Sequence, residues 1–387
     1  MTGRCAVIVL DGLGIGACPD QDAYGDAGSN TLGNVALAVG GLHLPNFATL
    51  GLGCCRPIAG LPCDSATAAH GVALPESRGK DSTSGHWELC GLTLDEPFAT
   101  YPAGFPPEII AAFSGATGRG VIGNRVASGT AIFADLGEEH CRTGAWIVYT
   151  SADSVFQVAA HEEIVPLAEL YAACRIAREW ILVEPHAVSR VIARPFVGRP
   201  GAWERTPHRK DFSIAPPGET LLDRLAAAGI PRVGIGKVDD LFAGRNIDAV
   251  HAPTNADAYR RIAEALRTME RGFLFVNVIE FDQSWGHRND VAGFHLGLAA
   301  LDAALPGMLG PLREDDLVIL TADHGNDPTT PSTDHSREAV PILVAGPRVR
   351  PAALGERKLA DVGATVAGYF GLPGGGFLEE VAPWAMS

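Results

Sequence analysis

Six short stretches of the chain are mostly apolar. They are "CAVIVL" (5–10), "AWIVYT" (145–150), "PRVGIG" (231–236), "GFLFVNVI" (272–279), "DLVILT" (316–321) and "VPILVAG" (340–346). A strand with one wet face would alternate apolar and polar positions; these do not, so both faces of each strand are expected to be covered. Between them, apolar positions recur at helical spacing near 167–178, 219–228, 256–270, 291–305 and 358–369. Apolar strands separated by helices predict an α/β fold whose sheet is mostly parallel and flanked by helices.

Two Pro/Gly-rich breaks interrupt this rhythm, "EPFATYPAGFPP" (96–107) and "SIAPPGET" (213–220). The pattern between them is less regular. Residues 98–214 are therefore expected to form an inserted, smaller α/β cap domain, and residues 1–97 with 215–387 the core. Insertions of this kind sit over the C-terminal edge of a parallel sheet, where loops carry chemistry.

The composition narrows the partners. The 387 residues are 47% hydrophobic, enough for a large core, and carry a formal net charge of −15. Such a surface repels nucleic acid and anionic membrane, so neither is expected as a partner. The N-terminal apolar run stops at Asp11, too short for a signal sequence or a span, and no later run is read as reaching spanning length. The eight cysteines show no C-x-x-C spacing. Cys54 and Cys55 are adjacent and badly placed to bridge each other, so all eight are read as reduced thiols in a cytoplasmic protein.

Four separated segments place hard or borderline metal ligands beside predicted strands: Asp11, then Asp282 with His287, then Asp323 with His324, then His335. Strand C-termini of a parallel sheet converge on one edge, so these six can meet. Three carboxylates and three imidazoles suffice for two divalent cations with three protein ligands each. A cation pair lowers the pKa of a bound alcohol and clamps the oxygens of a phosphoryl group in transfer. Three alcohols stand ready in "GKDSTSGHWE": Ser82, Thr83 and Ser84. The following residues look like a helix start, whose N–H groups favour an anion. A hydroxyl that merely caps that helix is the bland alternative, and residue chemistry alone leaves all three open. A local basic strip, Arg194, Arg205, Arg209 and Lys210, suits a second phosphate.

These motifs resemble phosphopentomutase, of the alkaline phosphatase superfamily. The matching segments include "VLDGLGIGACPD", "SNTLGN", "GKDSTSGHWE", "YTSADSVFQVAAHE", "ARPFVGRPGAWERTPHRKDF", "GIGKVDDLF", "FDQSWGHRND" and "TADHGNDPTTPSTDHSREAVPILV", nearly end to end. The resemblance implies an alkaline-phosphatase-like core with an inserted cap. It implies a mutase interconverting the 1- and 5-phosphates of ribose or 2-deoxyribose through a phosphorylated hydroxyl and a bisphosphate. It implies two Mn²⁺, with Zn²⁺ or Mg²⁺ as alternatives, and ribose 1,5-bisphosphate or glucose 1,6-bisphosphate as activator. Carried over, Asp11, Asp323 and His324 hold the ion beside the nucleophile, and Asp282, His287 and His335 hold the other. The residue after "GKD", usually Thr in the family, is Ser82 here, with Thr83 as fallback. Arg194 and Arg209 clamp the non-reacting phosphate, Ser151 and Asp153 contact the sugar, and Lys237 is retained. Ala131 stands where the family usually has an acid.

The competing readings keep or change the site. A metal-dependent phosphatase or phosphodiesterase, or a mutase for another sugar phosphate, would use the same ligands with a different acceptor. A sulfatase is disfavoured because no C-x-P-x-R element occurs. A dinucleotide-binding oxidoreductase is discounted because the glycines of "DGLGIGAC" follow an Asp and lead into a loop.

Overall fold

In the computed structural model, which describes residues 3–129, 131–151 and 153–386, the chain divides into two compact units. One comprises Met1–Pro97 with Pro216–Ser387, the other Phe98–Ala215.

The first unit is built on an eight-stranded sheet. Its order is Ala249–Val250, Arg232–Ile235, Gly272–Val278, Arg4–Leu10, Leu317–Thr321, Val340–Ala345, Ala69–Leu74, Ala353–Lys358. The three central strands, Gly272–Val278, Arg4–Leu10 and Leu317–Thr321, are buried at every position. They run parallel, with Leu10 opposite Val278 and Val9 opposite Thr321. Because their C-termini end level, the residues that follow them (Asp11, Asp282, Asp323) emerge at one edge.

Val340–Ala345 is the exception to the parallel pattern: it pairs antiparallel with both neighbours. Its direction matters. In an antiparallel strand the residues before its start, not after its end, lie at the edge where its neighbour finishes. His335 reaches the site edge this way. Ala69–Leu74 is reversed once more, with Ala73 opposite Val340, so its C-terminal end returns to that edge and leads into Ser82.

Two sequence expectations need correction. Cys54 and Cys63 form a disulfide with Cα atoms 4.8 Å apart. The turn closed by the Ile58–Leu61 bridge folds Cys63 back onto helix Leu52–Cys55. Adjacent helical residues point about 100° apart, so Cys55 cannot share that bridge; its thiol reaches the Gly51 carbonyl instead. The other six cysteines are free. The second correction concerns spanning length. Helix Val291–Leu309 has 19 residues with a mean hydropathy of 1.3. It buries Phe294, Gly297, Leu298, Leu301, Leu305 and Met308, one helical stripe, while Leu296 on another face is exposed. Buried Asp302 on the same helix accepts hydrogen bonds from the backbone N–H groups of Asn46 and Phe47. Its apolar length is explained by packing against the sheet unit.

At the edge opposite the site, Arg4 and Asp316 form a fully buried ion pair. Arg4 Nε lies 3.1 and 3.0 Å from the two carboxylate oxygens, and Arg313 N–H donates to the same group at 2.7 Å. Removing one member strands a buried charge, which costs about 3–5 kcal/mol. Asp316→Ala is expected to lower unfolding free energy by about that amount in urea titration. Activity per folded molecule should be unchanged, because the pair is remote from the site edge; a shift below about 1 kcal/mol would refute the assignment.

The second unit holds a six-stranded mixed sheet: Val121–Val126, Trp146–Thr150, Val155–His161, Arg190–Arg199 and Ala202–Arg205, with Lys210–Ser213 also on Arg190–Arg199. One face packs Phe105, Phe113, Trp146 and Phe156, the other Phe133, Tyr149 and Phe196. Of these strands only the second stands out as an apolar run in sequence.

Candidate metal centre and nucleophile

Ser82 opens helix Ser82–Leu89, and the preceding Asp81 caps it. Asp81 Oδ1 accepts from the N–H groups of Thr83 (3.0 Å) and Ser84 (3.1 Å), and Gly85 N–H donates to the Asp81 carbonyl. The expected anion-binding N–H groups at 83–85 are thus already satisfied by the protein's own acid. The capping role also falls to Asp81 and not to a hydroxyl. Ser84 Oγ donates to Asp81 Oδ2, and Thr83 is buried in the first turn. Ser82 differs from both. Its Oγ lies 3.0 Å from His324 Nε2 and donates to Asp11 Oδ1 at 3.3 Å. The helix approaches closely because residue 85 is glycine: a Cβ there would sit 2.5 Å from the Asp323 carbonyl oxygen.

The six Asp and His side chains gather at this edge. Donor atoms of Asp11, Asp323 and His324 lie within 4.8 Å of one another, as do those of Asp282, His324 and His335. His287 Nε2 is 3.2 Å and His335 Nε2 3.3 Å from the Asp282 carboxylate. Two of the imidazoles are oriented by main-chain carbonyls: His324 Nδ1 donates to Gly325 O (3.0 Å) and His287 Nδ1 to Thr333 O (2.7 Å). In each case Nε2 is left facing the carboxylates, the arrangement of a metal-ligating histidine.

Two further observations fit a cation. Asp323 Oδ2 is buried without a hydrogen-bond partner among the described residues. His86 Nδ1 lies 3.1 Å away, but its geometry favours the Ser82 carbonyl at 2.8 Å. Asp11 has a raised pKa, from burial and from the charges of Asp323 and Asp282. That repulsion is what a positive ion would relieve. For Asp323 burial opposes ionisation, yet the neighbouring His324 imidazole and the Gly12 N–H that donates to it work the other way, and its pKa falls to about 2. Burial also works against protonation of His324, but Asp323 and Asp11 raise its pKa well above the usual imidazole range.

Sequence reasoning passed over three residues here. Asn326 Nδ2 donates to Asp282 Oδ1 at 2.7 Å. Asn277 Nδ2 donates to Asp11 Oδ2 at 2.9 Å. His86, fully buried, stands between Asn277 and Ser82. Asn277 carries a signal in hindsight: it is the one side-chain amide in an otherwise apolar buried strand.

Of the remaining candidates, Lys237 Nζ donates to Gln283, next to Asp282. In the second unit Ser151 and Asp153 follow strand Trp146–Thr150. Ala193 pairs with Lys210, so Arg194 lies on one strand and Arg209 immediately precedes its neighbour, Lys210–Ser213. Arg194 Nε donates to Gln157 Oε1 at 3.0 Å, and burial lowers its pKa to about 10. Arg209 grips Asp211 through two 2.7 Å bonds, a contact that a ligand phosphate would have to compete with. Ala131 begins helix Ala131–Thr143.

Strand ends bring six Asp and His side chains together beside one alcohol, and the family description "Metalloenzyme superfamily" matches residues 3–374. Dependence on a divalent metal follows. The chain is 55% identical to a phosphopentomutase of Anaeromyxobacter dehalogenans, covering 98% of this chain and 100% of the relative. It is 53% identical to the phosphopentomutase of Carboxydothermus hydrogenoformans, covering 96% and 97%. This chain belongs to the phosphopentomutase family. In fold it is similar to the PH0037 protein of Pyrococcus horikoshii, with a TM-score of 0.50 and 16% identity over 94% of both chains.

Proposed function

We infer that this enzyme is an isomerase that moves a phosphoryl group between O1 and O5 of ribose or 2-deoxyribose, with Ser82 as the residue that carries it. The observation that supports this role most directly is the position of Ser82 Oγ, 3.0 Å from His324 Nε2 and 3.3 Å from Asp11 Oδ1. Asp11, Asp323 and His324 would hold one divalent cation and Asp282, His287 and His335 the other, with Mn²⁺ the proposed metal. When bound, such a pair neutralises the phosphoryl oxygens and lowers the pKa of the alcohol.

The chain's own part is positioning. Asp81 caps the helix and so sets the direction of Ser82. In the forward step the bond between phosphorus and Ser82 Oγ breaks as the sugar O1 bonds to phosphorus, and the O1 proton passes by way of solvent to Ser82 Oγ, from which it goes to O5 when Ser82 takes up the second phosphoryl group. The bisphosphate then presents its other end, and Ser82 Oγ takes the 5-phosphoryl group back. A trace of ribose 1,5-bisphosphate or glucose 1,6-bisphosphate would prime Ser82. Arg194, Arg209 and Lys237 are proposed to hold the phosphate that is not reacting, and Ser151 and Asp153 the sugar hydroxyls. Small pentose phosphates as substrates support a cytoplasmic location.

The test is ³¹P NMR of the full chain with Mn²⁺, a trace of ribose 1,5-bisphosphate and ribose 5-phosphate. A sugar 1-phosphate resonance is expected. Inorganic phosphate as the sole product would overturn the mutase reading in favour of a phosphatase.

A further inference from the structure

His86 and Asn277 touch no position assigned to substrate, yet both are buried against the nucleophile and its ligands. Their hydrogen bonds form one continuous chain. Asn277 Nδ2 has two protons. One goes to Asp11 Oδ2 at 2.9 Å and the other to His86 Nε2 at 3.2 Å. His86 Nδ1 donates to the Ser82 carbonyl at 2.8 Å, with Asp323 Oδ2 3.1 Å from the same nitrogen.

The direction of each bond is dictated by its neighbours. The Asn277 amide cannot be turned over, because that would set Oδ1 against the Asp11 carboxylate, acceptor against acceptor. With the amide fixed, His86 Nε2 must accept, so the His86 proton sits on Nδ1, within reach of the Ser82 carbonyl. The arrangement carries a penalty: Asn277 Oδ1 is buried with no partner among the described residues. What its nitrogen obtains in return is simultaneous contact with a ligand carboxylate and with the imidazole behind the nucleophile.

We propose that His86 and Asn277 are a pair of positioning residues that tie the Asp11 carboxylate to the main chain of Ser82, with His86 packed against Asp323, so that one ion site and the nucleophile are aligned as a single unit. The proposal rests on the reading of Asp11 and Asp323 as metal ligands and of Ser82 as nucleophile. Residues behind metal ligands typically change metal affinity about 10- to 100-fold when removed. The pair hydrogen-bonds Asp11 and lies 3.1 Å from Asp323 Oδ2, and the bonds above include none to Asp282, His287 or His335, so its effect should be confined to one ion.

The experiment is calorimetric titration of the full, metal-stripped chain with Mn²⁺, alongside steady-state kinetics at saturating Mn²⁺. Four variants are compared: Asn277→Ala, His86→Ala, His86→Asn and His86→Gln. Asn277→Ala and His86→Ala are expected to weaken one of the two Mn²⁺ ions about 10- to 100-fold and leave the other within about threefold. Turnover should fall by at least about tenfold while KM for the sugar phosphate stays within about twofold, because neither residue meets substrate. The two conservative variants divide the roles. Asn places an amide N–H near the Nδ1 position, and Gln places a carbonyl near the Nε2 position. His86→Asn should regain turnover over His86→Ala, through the Ser82 carbonyl. His86→Gln should regain the Mn²⁺ affinity, through Asn277 and Asp11.

Equal Mn²⁺ affinity in the wild type and in both alanine variants would overturn the proposal. So would equal weakening of both ions, or His86→Asn and His86→Gln behaving like His86→Ala, since each describes a residue that only fills space. Should an alanine variant fail to fold, the Asn and Gln variants carry the test by themselves. If the wild type makes no sugar 1-phosphate but the Mn²⁺ pattern holds, the mutase reading falls and the positioning pair stands.

Discussion

Ser82→Ala is expected to abolish phosphoryl transfer, lowering mutase turnover by at least about 10⁴-fold, the scale seen when a covalent nucleophile is removed. The effect should be this large because no neighbour can substitute. Ser84 Oγ is committed to the Asp81 cap, and Thr83 is turned into the first helical turn. Substrate binding should survive, since Ser82 is a half-exposed residue at the start of a capped helix whose stability does not depend on its hydroxyl. Ser82→Thr should remain active because it keeps the alcohol, although the added methyl restricts χ1. Mass mapping of protein quenched during turnover is expected to find one phosphate within residues 79–90, on Ser82. Phosphate on Thr83 or Ser84, or residual turnover in Ser82→Ala above about one part in 10³, would remove Ser82 from the proposed role.

The second large effect is expected at Asp323. Its Oδ1 accepts from the N–H groups of Gly12 and His324, both at 3.1 Å, and its Oδ2 is the buried oxygen without a hydrogen-bond donor. Asp323→Ala therefore removes a proposed ligand and also the group that holds two loops together beneath it. One Mn²⁺ should be lost in the micromolar range and turnover should drop about 10³- to 10⁴-fold, because an uncompensated phosphoryl charge raises the barrier by several kcal/mol. Chelation of the wild type should do the same reversibly. Two retained equivalents of Mn²⁺ in Asp323→Ala, measured by elemental analysis after dialysis, would show that the carboxylate is not a ligand.

Much of the centre was legible because its chemistry sits where strands stop. Asp11, Asp282 and Asp323 each follow a stretch too apolar to be anything but an interior strand, and neighbouring parallel strands end level. His335 was found by residue type, while the route that brings it there was not: strand direction depends on pairing partners, and "VPILVAG" reads the same up or down. The supporting layer was less visible. His86 sits in a polar helix start and shows its role only once Asn277 is beside it, and the two are 191 positions apart in sequence. The Cys54–Cys63 bridge depends on a turn that nothing in the spacing betrays. Strands Ala69–Leu74 and Ala353–Lys358 were missed because glycine, histidine and charged residues interrupt them, as suits positions toward an edge.

The reversed strand Val340–Ala345 has a consequence for how the polypeptide matures. It joins the central strands to the one that leads to Ser82, so until it is made the nucleophile has no sheet connection to Asp11. A nascent chain that stops short of Val340 should therefore neither take up Mn²⁺ nor protect Ser82 from solvent, which release of stalled chains of graded length, with metal uptake as the readout, would reveal. Long-range pairings of this kind form late, and catalytic competence should arrive in one step, once Val340–Ala345 is in place.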